Sequence, residues 1–177
     1  MRTWMLLAGV TLIAGCMENG AGDAGAANPT PPGSAVAILK TADGTDVGRA
    51  VATSENGGIK VAVTGKGMPA GPHGAHVHMV GRCDAPDFAS AGAHWNPGAT
   101  QHGTQNPAGP HAGDLPNLNV SQDGSATMAM TLPGGTLDAM LDADGAALVV
   151  HANPDDLKTD PSGNSGGRIA CGVLVRS

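Results

Sequence analysis

Short apolar runs broken by turn residues fill the chain from Ser34 onward. Residues 35–39 and 47–54 flank Ala42-Asp43-Gly44-Thr45, and 59–63 follows Asn56-Gly57-Gly58. Asp-Gly and Asn-Gly between such runs are hairpin signatures, because a tight two-residue turn needs positive φ at its centre. Further strands are predicted at 75–80, 117–120, 125–132, 146–151 and 169–175. Met128, Met130 and Leu132 alternate in the 125–132 run and read as core filling rather than as metal ligands. No stretch keeps a helical period for long, so the pattern predicts an all-β sandwich or barrel. Residues 81–116 show almost no apolar period. A loop of that length in a compact domain usually has a function.

The first residues change the picture. Residues 1–15 carry one Arg2 and then an apolar run too short to span a bilayer, the pattern of an export signal. The run ends in Ile13-Ala14-Gly15-Cys16, which resembles a lipobox, so Cys16 is the expected lipidation site and membrane anchor. Residues 16–33 are an acylated cysteine followed by a flexible tether of Gly, Ala, Asn, Pro and Thr. The folded domain is expected at 34–177. An exported, lipid-anchored domain of this kind is expected in the cell envelope, on the periplasmic side.

Composition narrows the partners. The 177 residues include 28 Gly and 13 Pro and carry a net charge of −6. There is no basic run, and one Phe, two Trp and no Tyr leave little to stack on bases, so a nucleic-acid partner is excluded. With Cys16 assigned to the anchor, Cys83 and Cys171 remain. In an oxidising compartment they are expected to form a disulfide, the alternative being two buried thiols. Such a bridge would close a loop of about ninety residues, worth roughly 4–5 kcal/mol.

Six of the seven histidines and one aspartate supply the chemistry. His76 and His78, two apart in a predicted strand, project from one face. His94, His102, His111 and Asp114 lie in the long loop, and His151 ends an apolar strand. Imidazoles suit copper, and three imidazoles with a carboxylate suit tetrahedral zinc. Seven donors for two sites of four require one shared ligand. An imidazole has two nitrogens and His94 is the natural candidate.

Five blocks resemble the copper/zinc superoxide dismutases in order and spacing. They are Gly74-Ala75-His76-Val77-His78, Ser90-Ala91-Gly92-Ala93-His94-Trp95-Asn96-Pro97, Gly109-Pro110-His111-Ala112-Gly113-Asp114-Leu115, Leu148-Val149-Val150-His151 and Gly163-Asn164-Ser165-Gly166-Gly167-Arg168-Ile169-Ala170-Cys171-Gly172-Val173. The resemblance implies a Greek-key β-sandwich, or flattened eight-stranded barrel, with long metal-binding loops. It implies copper on His76, His78, His94 and His151, and zinc on His94, His102, His111 and Asp114, with His94 bridging. It makes Cys83–Cys171 the family disulfide and Arg168 the cation that meets the anionic substrate. Ser162 takes the position that narrows the channel, and Asp155 that of the carboxylate linking His76 to His102. His73 is left for a structural hydrogen bond.

The activity implied is dismutation of superoxide to dioxygen and peroxide by alternate reduction and reoxidation of copper. The alternative is a non-enzymatic copper/zinc-binding envelope lipoprotein on the same fold. Such a protein would be expected to lose the bridge, a zinc ligand or the arginine, and all are present here. Family dimers use surfaces that differ between branches, so a homodimer stays open beside a monomer.

Overall fold

The computed structural model describes residues 33–177, and the leader, Cys16 and most of the tether lie outside them. Strands β1 (Ser34–Lys40), β2 (Asp46–Glu55) and β3 (Gly58–Gly65) form two successive hairpins. The first turns through Thr41, whose carbonyl accepts Gly44 N–H at 2.9 Å, with Gly44 at φ 86°. The second has Asn56-Gly57 alone between its strands, with Gly57 at φ 90°. Both sit where the turn chemistry placed them.

The remaining strands are β4 (Gly71–His73), β5 (Ala75–His78), β6 (Leu118–Val120), β7 (Ala126–Pro133), β8 (Ala147–His151), β9 (Arg168–Val173) and β10 (Val175–Arg176). Their order is β4-β6-β7-β3-β2-β1-β9-β8-β5, with β10 on β1, and every pairing is antiparallel. Only Gly74 separates β4 from β5, so the two ends of this path are halves of one strand and the sheet nearly closes into a barrel. Likewise only Leu174 separates β9 from β10. The ten strands are therefore eight continuous runs. The passage from β3 to β4 skips over β7 and β6, a Greek-key crossing.

Alternation decides which side chains enter the barrel. Ala35, Ala37 and Leu39 of β1, Ala50 and Ala52 of β2, and Ile59, Val61 and Val63 of β3 all point inward and are buried. Complete burial of each Leu, Ile or Val contributes roughly 1.5–3 kcal/mol. Met128 and Met130 are half-buried against this core, as packing residues. Strand β8 is buried on both faces. Leu148 and Val150 face the barrel core, while Ala147 and Val149 pack outward with Phe88, Ala91 and Cys171. That second cluster attaches the long loop to the barrel wall.

Regular structure outside the sheet is slight: a 3-10 turn at Ala89–Ala91 and one helical turn, α1 (Leu137–Met140), whose N-cap Thr136 accepts Ala139 N–H at 3.1 Å. Among the described residues no helix is long and apolar enough to cross a membrane.

Candidate metal centre and active site

The long loop is tied to β5 by its backbone. Val77 N–H donates to Gly113 O at 2.9 Å, Trp95 N–H to Val77 O at 2.8 Å, and Gly113 N–H to Trp95 O at 2.8 Å. These bonds bring His94 opposite His78 and Asp114 opposite His76. Gly113 permits the approach, since a Cβ there would strike Val77 O. On the other side, β8 pairs with β5 and carries a bulge between Val150 and His151. The result is a cluster of buried imidazoles, with the His76 and His94 rings stacked at 3.9 Å between centroids.

Four donor nitrogens converge on one point. His76, His78, His94 and His151 can each place a ring nitrogen within 4.8 Å of the others. Hydrogen bonds fix which nitrogen that is. His76 Nε2–H donates to Asp155 Oδ2 at 2.7 Å, His78 Nδ1–H to Gly92 O at 2.9 Å, and His151 Nδ1–H to Gly166 O at 3.1 Å. Each donation leaves the opposite nitrogen as a bare lone pair. His76 Nδ1, His78 Nε2, His94 Nε2 and His151 Nε2 are indeed the buried side-chain polar atoms without a hydrogen-bond partner among the described residues. Leaving four such atoms unpaired in one place is costly unless something else occupies their lone pairs.

A second quartet shares His94. Its Nδ1 lies 2.9 Å from Asp114 Oδ1 and 3.3 Å from His111 Nδ1. His102 Nδ1 is 3.0 Å and His111 Nδ1 3.4 Å from the same Asp114 oxygen. Asp114 Oδ2 is held by the backbone N–H groups of Gly103, at 2.9 Å, and His111, at 3.0 Å. The second set of donors mutually within 4.8 Å contains not His111 but His94, His102, Asp114 and His76. His76 Nε2 is taken by Asp155, however, and its Nδ1 belongs to the first quartet. His94 is thus the imidazole with one nitrogen in each set.

Electrostatics divides the two quartets. Burial pushes the His76 imidazole down to about 3, with Asp155 opposing and His94 adding to the fall. Burial likewise takes His78 to about 2 and His151 to about 4, and lowers His111. These rings are neutral at physiological pH, the form that ligates metals. Burial alone would lower His102 too, but its hydrogen bonds to the Asp114 and Asp155 carboxylates outweigh it and raise the group to about 9. Burial would raise Asp114 and Asp155. His102 and His94 on the first, and His102 and His76 on the second, hold both carboxyls well below their ordinary value instead.

An open cavity of about 1010 Å³ reaches the cluster, lined by His78, His94, His151, Ser162 and Arg168. Among the described residues Arg168 is the single cation lining it, beside Asp142, Asp144 and Asp160. Its guanidinium is fixed by Nη1–H to Phe88 O at 2.6 Å and Nη2–H to Gly92 O at 2.8 Å. Burial lowers its pKa, with Asp87 opposing. Gly92 O therefore orients both the cation and His78.

The family model described as copper/zinc superoxide dismutase matches residues 47–174. The chain belongs to the copper/zinc superoxide dismutase family. A copper-zinc superoxide dismutase of Caulobacter vibrioides is 46% identical over 148 residues, covering 80% of this chain and 85% of the relative. One from Aquifex aeolicus is 41% identical over 137 residues, covering 74% and 81%. A crystal structure of a SOD-like protein from Bacillus subtilis superposes with a TM-score of 0.75 at 39% identity, covering 79% of this chain and 97% of that one.

This is an oxidoreductase family that uses copper and zinc, and both quartets fit that pair. The four orphaned nitrogens form an all-imidazole set of the kind copper takes, and three imidazoles with a carboxylate suit zinc. Asp155 accepts from His102 Nε2–H at 3.0 Å as well as from His76, linking one ring of each quartet. A Cβ at Gly163 would run into Asp155 Oδ1, so the 152–167 loop needs glycine there. Cys83 and Cys171 are disulfide-bonded, with Cα atoms 5.7 Å apart. His73 Nδ1 lies 2.8 Å from His151 O and Nε2 2.9 Å from Pro69 O, a structural role.

Three contributors escaped sequence reasoning. Asp160 Oδ1 accepts His102 N–H at 2.6 Å, the carbonyl of Gly92 serves two side chains, and Asn117 holds the backbone of Asp155. No motif or period announces any of them, because each bond pairs a backbone group with a side chain distant in sequence.

Proposed function

We propose that the protein dismutates superoxide, two anions and two protons giving one dioxygen and one peroxide, in the cell envelope. The observation that carries this reading is the set of four buried, unpartnered imidazole nitrogens, three of whose rings line one open cavity together with Arg168. In this reading His76 Nδ1, His78 Nε2, His94 Nε2 and His151 Nε2 hold copper. His94 Nδ1, His102 Nδ1, His111 Nδ1 and Asp114 Oδ1 hold zinc. Copper held there would supply a one-electron redox couple.

The protein's own groups do the rest. The fixed Arg168 guanidinium draws the anion down the cavity and orients it, and a cation held without reorganisation is worth more than a mobile one. Ser162, half-buried on the same wall, narrows the approach. His94 Nε2 can hold a proton in one half of the cycle and release it to peroxide in the other, while its Nδ1 stays held beside Asp114. Asp155 keeps the His76 and His102 rings aimed.

The leader, the lipobox cysteine and the disulfide favour an exported domain tethered through Cys16. Replacing Cys16 by Ser should release the protein from membranes; continued membrane association would overturn the anchor. Pairing of two chains is compatible with this reading and is decided by the mass in solution.

The decisive experiment is a dismutation assay on protein loaded with one copper and one zinc per chain. Removal of superoxide far faster than the same concentration of free copper is expected. Full loading with no activity above free copper would overturn the enzyme reading in favour of a metal-holding lipoprotein.

A further inference from the structure

Asn117 makes two hydrogen bonds to the backbone of a single residue. Its Nδ2 donates to Asp155 O at 2.9 Å, and its Oδ1 accepts Asp155 N–H at 2.7 Å. The two bonds form a closed ring of opposite polarity. A flipped carboxamide would set donor against donor and acceptor against acceptor, so only one orientation satisfies both.

Asp155 depends on this anchoring. Its buried carboxylate accepts from His76 Nε2–H at 2.7 Å, His102 Nε2–H at 3.0 Å and Leu157 N–H at 2.6 Å. A short side chain reaches two imidazoles on opposite sides only while its Cα stays in one place. That Cα lies outside every strand, in the 152–167 loop, so no sheet ladder holds it. Asn117 follows Asp114 by three residues, with the fully buried Leu115 between them. One short segment thus presents a carboxylate to one quartet and fixes the loop whose carboxylate spans both.

We infer that Asn117 is a positioning residue, which sets Asp155 so that His76 and His102 both keep Nε2–H on its carboxylate and present Nδ1 to the metals. The inference rests on the ligand assignment proposed above. Asn117 is neither one of the proposed ligands nor part of the cavity lining, and its bonds reach the site through Asp155. A residue that merely tied two loops together would lower the melting temperature without altering either ring.

The test uses the full chain and two readouts besides activity. One is zinc affinity, by competition with a chromogenic chelator. The other is the ring ¹⁵N spectrum of His76 in metal-free protein, which reports the nitrogen that bears the proton. For Asn117→Ala, zinc affinity is expected to fall about tenfold, at the lower end for partners of metal ligands. The His76 spectrum should change from a single Nε2–H tautomer to a mixture. Asn117→Asp, of the same shape but without the donor, should move both readouts the same way and carries the test if the alanine variant does not fold. Wild-type zinc affinity together with a single His76 tautomer, whatever the melting temperature, would overturn the inference. If the wild-type protein fails to bind zinc, the ligand assignment falls. The metal-free spectrum then still decides whether Asn117 sets the ring.

Discussion

The two quartets are built by different means. Three members of the first come from strands: His76 and His78 from β5, and His151 from the end of β8. Backbone carbonyls orient two of those rings, and burial keeps all three neutral. The second quartet comes wholly from the loop between β5 and β6. Its members orient one another around Asp114 and lean on Asp155 and Asp160 from a second loop. The barrel therefore pre-forms one set of donors, whereas the other is assembled by mutual polar contacts. His94 belongs to both.

Removing the shared imidazole should disable both quartets at once. His94→Ala is expected to abolish dismutation, a loss on the order of a thousandfold or more, and to reduce the content of both metals. His151→Ala should abolish activity as well but keep zinc. Metal analysis of the two variants checks this, and equal zinc loss in both would refute the division.

The disulfide joins the halves, since Cys83 lies in the loop and Cys171 in β9, 88 residues apart. Cys83→Ser in the metal-free protein should cost roughly 4–5 kcal/mol in chemical denaturation. A cost below about 1 kcal/mol would mean that the outer cluster around Phe88 suffices to hold the loop.

Acid should expose the strand-borne half. His76, His78 and His151 have folded values of about 3, 2 and 4, below the 6.5 of an unfolded chain. Their neutral burial contributes stability that is present above pH 6.5. It is lost as pH falls toward the folded values, because the unfolded chain binds protons first. His102 has the opposite sign. Raised to about 9, it contributes stability fully present below 6.5 and lost as pH rises through 9. Metal-free protein should therefore be most stable near pH 6.5. On the acid side the fall is on the order of 1 kcal/mol per pH unit for each of the three rings. Denaturation midpoints across pH 4 to 10 test it, and a flat acid limb would show that the strand-borne rings can charge in place.

The smallest effect is expected at Arg168. Arg168→Ala should retain both metals and lower kcat/KM about tenfold, through lost steering. Parallel metal loss would place Arg168 in the support of His78 through their common acceptor, Gly92 O.

Legibility followed the kind of interaction. The hairpin at Asn56-Gly57 was readable because two adjacent residues decide a turn, and the His-x-His pair because a strand repeats every two residues. Strand β4 was not, since Gly71-Pro72-His73 has no β pattern and pairs only because β6 lies beside it. Met128 and Met130 pack on the core as their alternation implied. The histidines and the aspartate that cluster in the structure were readable by count and by resemblance. Asn117 and Asp160 were silent, as their partners are backbone atoms of Asp155 and His102 in a different segment.

By itself the sequence determined a β architecture, a family, a pair of cysteines and a set of donors in which one imidazole must be shared. Those follow from local periods, turn chemistry and residue type. Only the tertiary structure decided which nitrogen of each ring is bare, which ring is neutral and which is charged, and which residues hold Asp155 and Arg168 in place. These depend on burial and on hydrogen bonds between loops far apart in the chain, and such contacts exist only once the barrel has brought the loops together.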